Sequence, residues 1–287
     1  AAALSAVYTT KGTVAHAMIE ELFNPKHGGC PEDIANQIKN NYEEVFSQKV
    51  LESGGILLQS ENLSETAIFK EQMGECVKAL LKLIQENGLK VIACEQKHEK
   101  VDLPEFSKHK ITFSGSIDMV LEDSAGQPVI FDFKFSPSEA KYQDWIRDNR
   151  SMQLALYRGL VFKATEKHAK AAAYVLLPDV KVITADDLQG AIFKTYVDVN
   201  RNGNLLKEMS NSYAFRKNQI MQGFIEDGEG VEYPFINGKP VSPSIDYADS
   251  AEEQALVPMD METHSRNKTW NKKQNKYSNY NTFKAGK

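Results

Sequence analysis

The chain has 287 residues, 41% of them hydrophobic and 25% charged, enough to bury one large core or a core with an extension. No apolar run approaches the roughly 18 residues that a bilayer span requires, so a membrane role is not expected. The formal net charge of −5 is unevenly placed: residues 265–287 hold seven of the 34 basic residues and none of the 39 acidic ones, leaving the rest at −12. Cys30, Cys76 and Cys94 stand far apart with no zinc spacing and no disulfide framework, which suits a reducing cytoplasm, the expected location. The opening AAALSAVYTT has no basic start and no long apolar stretch, so it does not read as a signal peptide. Without an initiating Met, the chain is expected to be a trimmed or processed product, or part of a larger polypeptide or complex.

In chain order, Lys11 to Phe23 has helical spacing, with Val14, Met18, Ile19 and Leu22 on one side. Pro31 opens a second helix to about Glu52. A third runs from about Glu65 to Asn87, with Ser64 as the expected N-cap and Gly88 as the stop. The pattern then changes. Lys90 to Cys94, Ile111 to Leu121 and Val129 to Phe135 read as strands, and Ser124 to Pro128 (SAGQP) as the turn of an antiparallel hairpin. Asp148 to Lys163 returns to helix. Ala172 to Leu177 is a strand ended by Pro178, and Ala185 to Phe193 is expected to be a short helix. Leu205 to Ile225 has helical stretches, Asp227 to Ser250 reads as loop, and the last residues are poor in aliphatics. Helices, then a hairpin, a helix and another strand predict an α/β fold with a central mixed sheet flanked by helices.

The segment VIFDFKF (Val129 to Phe135) carries the strongest chemical signal. Alternation along a strand puts Asp132 and Lys134 on one side and Phe131, Phe133 and Phe135 on the other. A carboxylate and an ammonium on a mostly apolar strand are costly to bury unpaired, so they mark a candidate active site.

GTVAH (Gly12 to His16), GSID (Gly115 to Asp118), FDFK (Phe131 to Lys134) and QLALY (Gln153 to Tyr157) occur in that order. Together they resemble the RecB-like branch of the PD-(D/E)xK nuclease superfamily. That branch carries G-x-x-x-H on a helix, a strand ending in glycine, any residue, an apolar residue and Asp, then a strand with Asp, an apolar residue and Lys, then a Q-L-x-x-Y helix. The resemblance covers Gly12 to about Leu177. It implies a restriction-endonuclease-like fold and hydrolysis of DNA phosphodiester bonds with Mg²⁺ or Mn²⁺. It further implies metal ligands at His16, Asp118 and Asp132, and catalytic roles for Asp118, Asp132, Lys134, Gln153 and Tyr157. Carboxylate oxygens from neighbouring strands suit a hard cation. Glu95, ahead of GSID, stands where many relatives carry a Glu and is a weaker ligand candidate, as is Glu20, which shares the face of His16. No Cys follows Cys94, so the iron–sulphur cluster of many RecB-like relatives is not expected.

Lys141, Trp145, Arg147 and Arg150, between the Lys and Gln motifs, and Trp270, Tyr277, Tyr280 and Phe283 among the lysines of the tail suit a phosphate backbone with stacked bases. An ordinary exposed loop and a tail folded on the acidic body are the competing readings. The expected organisation is a nuclease core over 1–195, a helical and loop extension over 196–264 and a basic aromatic tail over 265–287. The expected function is an exonuclease of recombination or repair acting on DNA with a single-stranded end. The alternatives are a catalytically silent nuclease-like module that docks DNA or protein, and a metal enzyme acting on another substrate.

Overall fold

The computed structural model describes residues 2–188, 194–197, 204–221, 235–236 and 239–240. The chain divides into two compact units, residues 1–104 with 110–202, and residues 105–109 with 203–287.

The first unit opens with three helices. Helix α1 (Ala2–Leu22) buries Val14, Met18, Ile19 and Leu22, the predicted stripe, and begins well before Lys11. Helix α2 (Pro31–Ser53) starts where Pro31 presets φ, with Glu32 and Asp33 in the first turn facing the positive end of the helix dipole. Its buried residues Ile34, Ile38, Val45, Phe46 and Val50 recur at helical spacing. Helix α3 (Leu63–Glu86) has Asn62 at its N-cap with no side-chain capping bond. Ser64, the expected cap, lies inside the helix. The stop is as predicted: Asn87 caps the end and Gly88 follows with φ 59°, a left-handed conformation that costs glycine little.

A six-stranded sheet follows, in the spatial order of the sequence. Strand β1 (Lys90–Asp102) pairs antiparallel with β2 (Thr112–Glu122), and β2 antiparallel with β3 (Pro128–Phe135). In the predicted turn, Asp123 Oδ1 accepts from the backbone N–H groups of Ala125 and Gln127 at 2.9 Å each, and Gly126 adopts φ 72°. Helices α4 (Ala140–Arg147) and α5 (Met152–Thr165) then carry the chain to β4 (Ala171–Leu177), parallel to β3. Strand β5 (Lys181–Thr184) lies antiparallel to β4, and β6 (Lys194–Tyr196) parallel to β5.

Two cores lie on the two faces of this mixed sheet. Met119, Leu121, Val129, Phe131, Phe133 and Val175 join the residues of α1, α2 and α3. Ile130, Ala172, Tyr174 and Leu176 join Tyr142 and Ile146 of α4 and Leu154, Tyr157 and Leu160 of α5. Each fully buried Phe, Leu or Ile contributes about 1.5–3 kcal/mol of transfer free energy. β3 and β4 are buried on both faces, as strands of a covered parallel pair must be.

Three local readings need correction. The segment after Lys134 is not loop throughout: α4 forms because Tyr142 and Ile146, four apart, bury on the sheet. The helix expected from Asp148 is broken from α4 by Asn149 at φ 52° and begins only at Met152. Ala185 to Leu188 are not helical, and residues 189–193 lie outside the described residues. Strands β5 and β6 were not anticipated.

In the second unit, helix α6 (Leu205–Met221) lies within the predicted helical stretch. Ser210 Oγ donates to the Glu105 carbonyl at 2.5 Å and lies 3.1 Å from His109 Nε2, tying residues 105–109 to this helix. Phe235–Ile236 and Lys239–Pro240 form a short antiparallel pair, β7 and β8. The basic tail, residues 265–287, lies outside the described residues. No helix among the described residues is long and apolar enough to cross a membrane.

Candidate active site

Tyr8, Gly12 and His16 are four residues apart and so share one face of α1. That face lies on β3. Tyr8 Oη donates to the Phe135 carbonyl at 2.9 Å. A Cβ built at Gly12 would stand 3.3 Å from Phe135 Cβ, so the missing side chain is what permits this approach. One turn on, the His16 ring meets Phe133 edge-on at 6.1 Å, and its Nδ1 reaches 3.9 Å from Asp118 Oδ2. The glycine and histidine of GTVAH thus work together: close packing at the first places the imidazole of the second.

Asp118 sits where β2 and β3 part. Their backbone pairing stops at Met119 and Phe131. Beyond it, Asp118 Oδ2 accepts the Phe133 N–H at 2.6 Å, standing in for a strand carbonyl. The strand turns here: Ile117 packs in the α5-side core and Met119 in the α1-side core, which a regular strand cannot do with residues two apart. On β1, Glu95 adopts φ 47°, uncommon for a residue with a Cβ. Ser116 Oγ of the GSID segment donates to Glu95 Oε2 at 2.7 Å. These distortions bring one ligand atom each from His16, Glu95 and Asp118 within 4.8 Å of one another.

Asp132 has no exposed surface. Lys134 Nζ lies 2.6 Å from its Oδ2 as an ion pair, and Oδ1 is left without a hydrogen-bond partner. Burial pushes its carboxyl up to about 7, with the Asp118 charge adding and the Lys134 ammonium opposing. Burial also raises Asp118, against the pull of His16, the Phe133 N–H and Lys134. Cys94, beside these acids, stays a neutral thiol: burial pushes it up to about 12, and Glu20, Glu95 and Asp118 add to the effect.

On α5, Gln153 Nε2 donates to Tyr157 Oη at 2.8 Å, as one-turn spacing requires. Burial pushes the phenol up to about 12, and the charges of Asp132, Asp118 and Glu95 add to it, so the hydroxyl belongs to the electrostatic field of the same acids.

A divalent cation fits this group. Three buried or half-buried carboxylates in one field face one imidazole and one ammonium, and Asp132 Oδ1 lacks a partner. Oxygen donors with one imidazole match Mg²⁺ or Mn²⁺ better than a soft metal.

A family model for the PD-(D/E)XK nuclease superfamily matches residues 2–254. The chain belongs to that superfamily. The mixed sheet with helices on both faces is consistent with the restriction-endonuclease-like fold of the PD-(D/E)XK nucleases, and membership implies a nucleic-acid substrate. A comparison with curated proteins finds none that matches the chain.

Of the residues singled out in the sequence, His16 and Asp118 meet in one group, Asp132 and Lys134 pair beside it, and Gln153 and Tyr157 bond to each other. Glu20 is exposed and outside the group. Glu95 enters it more firmly than its polar surroundings suggested, because its place depends on a φ reversal and on Ser116, neither visible in a linear pattern. Arg147 and Arg150 hold Asp144 and Asp148 at 2.5 and 2.6 Å, so that stretch is less basic than its composition. Lys141 lies 4.6 Å over the Trp145 ring.

Proposed function

We propose that this PD-(D/E)XK protein is a Mg²⁺- or Mn²⁺-dependent deoxyribonuclease that removes nucleotides from DNA ends, an exonuclease of recombination or repair. The buried Asp132 carboxylate, paired with the Lys134 ammonium and set beside the His16, Glu95 and Asp118 group, carries this reading. These four side chains would hold the ion. When bound, the ion supplies positive charge to the developing phosphorane and favours ionisation of the attacking water.

The chain's own groups do the rest. Lys134, one-quarter exposed, holds its ammonium at the mouth of the acidic group, where it can orient the water by hydrogen bonding and stabilise charge on a phosphoryl oxygen. Asp132 anchors that ammonium. The Tyr157 hydroxyl accepts from Gln153 and stays protonated near neutral pH, which leaves its own proton for an acceptor on the substrate. The water oxygen gives up a proton to solvent and bonds to phosphorus as the bond to the leaving sugar oxygen breaks, and that oxygen takes up a proton from solvent.

The test compares end-labelled linear DNA with covalently closed circular DNA, with and without Mn²⁺ or Mg²⁺. Loss of label from the linear form alone, only with the cation, is expected. Cutting of the circle would make the enzyme an endonuclease. No metal-dependent cleavage of either form would leave the silent binding module as the better account.

A further inference from the structure

Where Tyr8 of α1 meets Phe135 at the end of β3, about two helical turns along α1 from His16, lies a cavity of about 210 Å³. At roughly 30 Å³ per water it has room for about seven waters. That suits one flat heterocycle; drug-sized pockets run to about 300–1,000 Å³. Phe135 forms one wall, and Pro137, Leu177 and Pro178 add apolar surface. Tyr8 stands at the mouth, 43% exposed, its hydroxyl held by the Phe135 carbonyl and its ring 5.2 Å from that of Phe135. An anchored but open aromatic ring is a stacking surface.

The polar lining selects the ligand. Lys11 and Lys181 line the cavity, yet Glu65 holds Lys11 at 2.7 Å, and Glu139 holds Lys181 at 2.7 Å with Asp179 at 3.6 Å. The ammonium charges are answered from within the protein, so the cavity has no surplus positive charge for a phosphate. It does offer donors and acceptors together, from Gln72, Ser136 and Asp179. A neutral, flat ligand with both kinds of hydrogen-bonding edge fits, and a nucleobase is such a ligand.

We propose that this cavity receives one unstacked nucleobase of the strand bound in the neighbouring acidic site, an inference that rests on the nuclease reading. The register along α1 sets the distance. Tyr8 and His16 are eight residues apart, about 12 Å at ~1.5 Å per residue. This is the length of a few nucleotides at the ~3.4 Å spacing of a stacked strand. The base in the cavity is therefore a near neighbour of the phosphate under attack and not its own base.

The experiment is an abasic scan. A short single-stranded oligodeoxynucleotide, with one abasic position moved along its length, is bound to the full chain in EDTA, so that the readout does not pass through cleavage. One position near the end should weaken binding roughly five-fold or more, the scale of losing one stacked base. Tyr8→Ala and Gln72→Ala should bind the intact strand more weakly and no longer register the abasic position, because ring and base contribute one shared interaction. Tyr8→Phe, which keeps the ring, should still register it. A scan that changes affinity less than two-fold at every position overturns the inference, as does an undiminished penalty in Tyr8→Ala. If metal-dependent cleavage persists while the scan is flat, only the base site fails. If no strand is bound and none is cut, the nuclease reading fails with it.

Discussion

The Asp132 carboxyl sets the pH behaviour of the metal-free protein. Burial raises it to about 7 in the folded state, against 3.8 as its ordinary value. Between those values the folded protein binds more protons than the unfolded chain, so stability falls as pH rises from about 4 to about 7 and levels off above. Asp132→Asn should flatten that slope and raise the metal-free melting temperature at pH 8, as thermal melts across this range would register. The Mn²⁺-induced rise in melting temperature should run the other way, larger at pH 8 than at pH 6, because the ion takes the ionised carboxylate. Lys134 separates binding from turnover. Its ammonium matters most where charge develops in the transition state, so Lys134→Ala should lower kcat by about 100-fold or more and leave DNA affinity within a few-fold. A variant that cuts at the wild-type rate would reduce Lys134 to the structural partner of Asp132.

At the scale of elements, the seat of α1 on β3 decides whether His16 reaches Asp118. Replacing Gly12 by Ala relieves a helix-interior glycine, worth about 1 kcal/mol, but its Cβ meets Phe135 Cβ at 3.3 Å. The two effects nearly cancel, and a melting temperature close to wild type is expected. Gly12→Val drives two further carbons into the same gap. It should lose about 1–3 kcal/mol, as overpacked cores do, and shrink the Mn²⁺-induced melting shift by moving the helix and its imidazole. Loss of stability with an unchanged metal shift would separate the glycine from the histidine it is argued to place. The parting of β2 and β3 is the second such device, since it frees Asp118 to accept the Phe133 N–H where a regular ladder would continue.

For the whole molecule, an ion that binds only the folded state must stabilise it. Mg²⁺ or Mn²⁺ should raise the melting temperature, and Asp118→Asn combined with Asp132→Asn should abolish the rise; a rise that survives both substitutions would place the cation elsewhere. The tail is a separate matter of charge. Seven basic residues with four aromatics and no acid should contact strand phosphates and bases. Deleting residues 265–287 should weaken single-stranded DNA binding and flatten its salt dependence, while the metal-induced stabilisation persists. Equal affinity and an equal salt slope after deletion would favour a tail packed on the acidic body, with a lowered melting temperature.

Local chemistry alone determined much of this protein. His16, Asp118, Gln153 and Tyr157 were singled out through the resemblance of four ordered motifs, whereas the apolar stripes of α1, α2 and α3, the turn after Asp123, the doubly buried strands β3 and β4, and the shared side of Asp132 and Lys134 follow from periodicity and turn residues. They are legible because each depends on residues within a few positions of one another. Helix α4 and strands β5 and β6 were not legible, being short and stabilised by the sheet they join. Tertiary structure alone decided the rest. It turned β2 at Asp118, reversed φ at Glu95 and set Ser116 to hold that carboxylate. It also left Asp132 buried beside two other acids, because its protonation depends on desolvation and on charges 14 to 37 positions away in the chain, which no linear pattern records.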